Sequence, residues 1–125
     1  MSSAAEAPAA ARRYIDALNE GMATALEEDR RVVVMGIDVG AGGGIFGVTK
    51  GLFERFGPER VIDAPISEMG YVGAAVGAAM TGLRPIVEIM FMDFVGVCLD
   101  PILNQAAKLR YMTAGALEIP VVFRM

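Results

Sequence analysis

Residues 61–91 read VIDAPISEMGYVGAAVGAAMTGLRPIVEIMF. Val61-Ile62 is a short β-type pair ending at Asp63, and Pro65 sets a turn behind it. Ser67 is a residue type that caps helices, and Glu68 to about Thr81 is rich in Ala, Gly and Met, with Gly82 placed to end the helix. Pro85 to Phe91 is a second β-type run. Strand, helix and strand in succession predict the βαβ unit of a parallel sheet.

Working outward, the same alternation continues. Arg12 to Asp29 predicts a helix, because Ile15, Leu18, Met22, Ala25 and Leu26 recur at spacings of three or four. Val32 to Ile37 is a continuous apolar run, the mark of a strand buried on both faces. Asp38 to Gly47 is a glycine-rich loop, and Val48 to Phe56 a short helix stopped by Gly57-Pro58. Downstream, Asp93 to Met112 is helical, with a break or restart at Asp100-Pro101. Ile119 to Phe123 is the last strand. The chain therefore reads as α/β, a parallel sheet with helices on both faces. Met1 to Ala11 has no apolar periodicity and lacks the basic start and apolar core of a secretory signal. The expectation is a disordered tail over 1–11 and one domain over 12–125, truncated at its C-terminus because a core strand closes the sequence.

Composition narrows the function. The chain has 125 residues, 54% hydrophobic and 21% charged, with net charge −4. The acidic balance argues against a nucleic-acid footprint, and the apolar excess suggests surface covered by a partner chain. No segment reads as membrane-spanning: Met69 to Leu83 is too short and too rich in glycine. Cys98 is the single cysteine, which excludes an internal disulfide and fits a reducing compartment. Without histidine, zinc and His-dependent triads are nearly excluded within the chain.

Two features carry chemistry. Glu68 is a lone carboxylate among small and apolar residues, a setting that makes ionisation costly and lets a carboxylic acid give or share a proton. An acid in the first turn of a helix also simply favours the helix dipole. Gly42 to Gly47, GGGIFG, satisfies the GxGxxG dinucleotide pattern, with Asp63 sixteen residues beyond Gly47. The apolar strand stops at Ile37 or Val39, several residues before Gly42, which fits a surface or active-site loop better.

Several linked motifs occur in fixed order: Gly47-Val48-Thr49-Lys50-Gly51-Leu52, Phe56-Gly57-Pro58-Glu59-Arg60-Val61, Pro65-Ile66-Ser67-Glu68, Gly73-Ala74-Ala75-Val76-Gly77, Gly82-Leu83-Arg84-Pro85 and Asn104-Gln105-Ala106-Ala107-Lys108. Together, across Arg12 to Met125, they resemble the beta subunit of thiamine-diphosphate-dependent 2-oxo acid dehydrogenases, the group of the pyruvate, branched-chain and acetoin enzymes. The resemblance implies a pyrimidine-binding domain. It implies that Glu68 hydrogen-bonds a ring nitrogen of the cofactor's aminopyrimidine, favouring the imino tautomer that forms the ylid for oxidative decarboxylation. It implies that Phe94 packs on the pyrimidine and that Met90 and Ile66 line its pocket; the residues alone equally allow core packing for all three.

The Gly-Asp-Gly motif that holds diphosphate and Mg2+ in this family is absent here, and the resemblance assigns it to a partner alpha subunit. A second beta chain and the lipoyl acyltransferase core of the multienzyme complex are the further partners implied, in a bacterial cytoplasm or an organelle matrix. Small residues at Gly70, Gly73, Ala74 and Gly77 suggest close helix packing between subunits. Glu88 reads as a structural carboxylate paired with Arg84 or Arg110, and Cys98 as a small buried residue. The alternatives are a Rossmann-like nucleotide-binding domain using the glycine loop and Asp63, and an inactive truncated fragment.

Overall fold

The computed structural model describes residues 12–125, so the tail expected over 1–11 lies outside it. Helix α1 spans Tyr14–Glu28 and leads into strand β1, Val32–Gly36. Helix α2 (Leu52–Phe56), strand β2 (Val61–Asp63), helix α3 (Glu68–Met80) and strand β3 (Arg84–Glu88) follow. A 3-10 helix (Met92–Cys98), a π-helix (Pro101–Ala106), helix α4 (Leu109–Met112) and strand β4 (Val122–Arg124) complete the order. The four strands form one parallel sheet in the order β2-β1-β3-β4. Both faces are covered, as the unbroken apolar run of β1 requires.

Side-chain alternation sorts the core into two layers. Val32 and Val34 of β1 face α1 and α2, packing with Met22, Leu26, Leu52 and Val61. Val87 of β3, with Ile37 and Ile89 just beyond strands β1 and β3, packs on the opposite face with Tyr71, Val72 and Ala75 of α3 and with Cys98. The connection through α3 carries the chain from β2 across β1 to β3. Loops leaving β1 and β3 therefore diverge, and the sheet gains a topological switch point at its C-terminal edge.

Helix α3 ends as predicted. Gly82 adopts φ 104°, and the amides of Gly82 and Leu83 donate to the carbonyls of Ala79 and Ala78, a Schellman closure. Its start differs from expectation: Ser67 holds the N-cap position, yet its hydroxyl donates to the Pro65 carbonyl at 3.1 Å instead of capping a helical amide. Other boundaries differ too, and strand β3 ends at Glu88, short of the expected Phe91. Helix α2 begins only at Leu52, because Gly47 and Gly51, at φ 72° and 81°, take left-handed turns that a helix cannot include. The helix expected over Asp93–Met112 is divided into 3-10, π and α segments, with Pro101 opening the π segment where its missing amide costs no bond. Strand β4 pairs only over Val122–Arg124.

Arg60 gives the Phe56–Val61 motif a structural task. Its Nε donates to the Val32 carbonyl at 2.7 Å, and Nη2 donates to Leu26 and Asp29 carbonyls at 3.0 Å, satisfying the free end of α1. Gly36 closes β1 where a side chain cannot fit. A Cβ there would lie 2.9 Å from the Glu88 Cβ and carbonyl oxygen and from Val39 Cγ1. Gly36→Ala is therefore expected to destabilise the fold by about 1–3 kcal/mol, measured as a lower urea midpoint at unchanged slope; an unchanged midpoint would refute this tight contact.

Candidate functional site

Glu68 is the first residue of α3 and is 8% exposed at the C-terminal edge of the sheet. The free amides of the helix start favour its charge, whereas burial opposes it. Among the described residues it takes part in no ion pair. Tyr71, on the same face one turn later, is buried, and its hydroxyl has no hydrogen-bond partner among the described residues. Burial first, then the charges of Glu68, Cys98 and Glu88, push the Tyr71 phenol up to about 12. Cys98 is also buried, its thiol donating to the Phe94 carbonyl at 3.4 Å. Burial and the Glu68 charge raise its pKa as well, so it stays a thiol.

The other predicted site residues come from three segments at the C-terminal edge of the sheet. Ile66, in the turn before α3, is 85% exposed and belongs to neither core layer. Met90, just past β3, is half-buried and packs against the layer holding Tyr71 and Cys98. Phe94 lies on the 3-10 helix and is 38% exposed. Its ring meets Phe91 edge-on at 5.7 Å, and Phe91 meets Phe46 of the glycine loop in the same way at 5.7 Å. The edge thus presents a buried carboxylate, a buried phenol and an exposed aromatic rim. Tyr71 and Phe91 were not singled out from the sequence; Tyr71 was visible there as the one aromatic side chain within the small-residue helix.

Two acidic residues serve the scaffold. Glu88 is 3% exposed and pairs with Arg124, its register partner on β4. Arg84 instead faces Asp29 at 3.5 Å and Arg110 faces Glu118 at 3.7 Å, so neither partner proposed from the sequence is the right one. Asp63 accepts the Gly40 amide on Oδ1 at 2.6 Å. Within the loop, the Gly44 amide donates to the Asp38 carbonyl at 2.8 Å, the Thr49 amide to the Gly43 carbonyl at 3.0 Å, and the Thr49 hydroxyl to the Val39 carbonyl at 2.7 Å. These bonds occupy groups a dinucleotide would need, and Gly47 opens a turn rather than a helix. No group of three or more potential metal ligands occurs among the described residues.

Residues 10–125 match the family described as transketolase, pyrimidine binding domain. The chain belongs to that family. It is 50% identical to the acetoin:2,6-dichlorophenolindophenol oxidoreductase subunit beta of Bacillus subtilis (strain 168), over 87% of this chain and 35% of that protein. It is 47% identical to the mitochondrial pyruvate dehydrogenase E1 component subunit beta of Homo sapiens, over 94% of this chain and 33% of that protein. To the 2-oxoisovalerate dehydrogenase subunit beta of Bacillus subtilis (strain 168) it is 47% identical, over 89% of this chain and 34% of that protein. The chain thus spans about a third of the length of these curated relatives. Among the described residues, no helix of this pyrimidine-binding domain is long and apolar enough to cross a membrane.

The raised Tyr71 pKa has a definite consequence for stability. An ionised phenol is disfavoured in the fold, so the contribution is fully present below the ordinary tyrosine pKa of about 10. It is lost as pH rises through the folded value of about 12. Ultraviolet titration of phenolate absorbance should show one tyrosine ionising near pH 12, a step that Tyr71→Phe removes. Ionisation of Tyr71 near its ordinary value would contradict its burial.

Proposed function

We propose that this chain supplies the pyrimidine-binding half of a thiamine-diphosphate-dependent dehydrogenase acting on a 2-oxo acid or acetoin, with Glu68 as the acid toward the cofactor. The observation that carries this reading is the buried Glu68 at the C-terminal edge of the sheet, the edge that also holds the exposed Ile66 and Phe94 and the half-buried Met90. When bound, thiamine diphosphate supplies carbanion-type chemistry. The chain's own residues orient the ring and control one proton. Glu68 shares a proton with a ring nitrogen, the Phe94 ring packs on the pyrimidine face, and Ile66 and Met90 fill the space beside it. Burial keeps water from competing for that proton.

The rest of the site belongs to other chains in this reading. A partner alpha subunit holds the diphosphate and its Mg2+, as the family resemblance implies. The names of the relatives, all beta subunits, support such a partner. A second beta chain lies along α3, where an added Cβ at Gly73 or Gly77 would meet nothing within 4 Å and the small side chains leave room for a neighbour. A lipoyl acyltransferase core accepts the product group, and the assembly works in a bacterial cytoplasm or an organelle matrix. The nucleotide-binding alternative loses ground because Asp63 is already engaged by the Gly40 amide.

Calorimetry with thiamine diphosphate and Mg2+ tests the central claim. Binding is expected only when the alpha subunit is present, and Glu68→Ala should weaken it by at least tenfold, about 1.4 kcal/mol. NAD binding in place of thiamine diphosphate would overturn the reading in favour of the glycine loop. For the second beta chain, Gly77→Leu is expected to lower the molecular mass seen by sedimentation. An unchanged mass would exclude α3 from the subunit contact.

A further inference from the structure

Tyr71 is the buried polar group that the proposed chemistry does not use. It is 4% exposed, and its hydroxyl is buried without a partner among the described residues. A phenol in that state needs an acceptor. Side chains on a helix lean toward its N-terminus, over the preceding turn. Tyr71 therefore leans over the turn that begins with Glu68, three residues earlier on the same buried face. The charged and titratable groups acting on the phenol are Glu68 on its own helix, Cys98 on the 3-10 helix and Glu88 on β3. Glu88 is engaged by Arg124, and the Cys98 thiol donates to the Phe94 carbonyl. Glu68 is the acceptor left without a charged partner.

We propose that Tyr71 is a positioning residue for Glu68: its hydroxyl donates to the Glu68 carboxylate when that side chain turns inward, and so selects between two positions of the acid. In one, the carboxylate is held by the phenol. In the other, seen here, it is free of Tyr71 and available to a ring nitrogen at the edge. The hydrogen bond favours the ionised carboxylate, and the phenol stays protonated across the whole range in which a carboxylate titrates. The inference rests on the role proposed for Glu68, but the contact itself requires no cofactor.

Carbon-13 NMR of the side-chain carboxyls tests it on the native chain and on Tyr71→Phe, with Glu68→Gln used to assign the Glu68 signal. Losing the donor should move the Glu68 carboxyl resonance at fixed neutral pH, with the Glu88 resonance unmoved. Tyr71→Phe keeps the ring, so a packing role alone leaves the Glu68 resonance where it was, and that result overturns the proposal. A shift at Glu88 in place of Glu68 overturns it too. The Tyr71 Cζ resonance should also differ between the native chain and Glu68→Gln. A Cζ signal unchanged by Glu68→Gln refutes the contact even if Tyr71→Phe does not fold. Because these measurements omit thiamine diphosphate, their failure is distinct from failure of cofactor binding to respond to Glu68→Ala.

Discussion

The close seating of α3 on the sheet is the contact from which the site follows. Ala75 and Ala79 are buried at 0% and 2% exposure beside Val72 and Val76, and small side chains on that face let the helix backbone approach the strands. The helix crosses β1 and contacts β3, the 3-10 helix and the π-helix. Its N-terminus is thereby fixed at the C-terminal edge of the sheet, where loops from β1 and β3 part. A larger residue at 75 or 79 would lift the helix and carry Glu68 out of its buried position. The geometry at the acid is thus set by residues with no chemistry of their own.

Two carboxylates near that edge are treated in opposite ways. Glu88 is neutralised by Arg124, one strand across, on the side of the sheet facing the glycine loop. Breaking that pair would strand a buried charge, so its role is structural. Among the described residues Glu68 has no such cation. In the proposed reading it is this unpaired acid, and not the paired Glu88, that meets the cofactor.

Local chemistry was legible in the sequence, whereas pairing across strands was not. The apolar run at Val32, the turn at Pro65 and the glycine at Gly82 act within a few residues, and each appears where expected. The Arg124 partner of Glu88 depends on the register between β3 and β4, which no local pattern encodes. The same holds for Asp63, which matched a nucleotide fingerprint by spacing but is engaged by a loop amide brought back from β1. The Asp93–Met112 helix failed for another reason: its apolar positions satisfy a helical period, but periodicity cannot distinguish 3-10, α and π winding on either side of Pro101. The edge-on contacts that join Phe46 to Phe91 and Phe94 were not legible either, because the glycine loop and the segment after β3 meet only in the fold.

The open rim makes the acid depend on what covers it. Ile45, Phe46, Phe91, Met92 and Phe94 are all exposed along the same edge, an arrangement that is unfavourable in water and favourable once another surface excludes it. Covering the edge would also remove water from the outer side of Glu68, weakening dielectric screening there. A heteroaromatic ring seated against Phe94 would then meet Glu68 in a drier environment than either surface provides alone. In the proposed reading, an acid that becomes effective on closure limits proton exchange to the assembled state, and the same apolar rim favours that association.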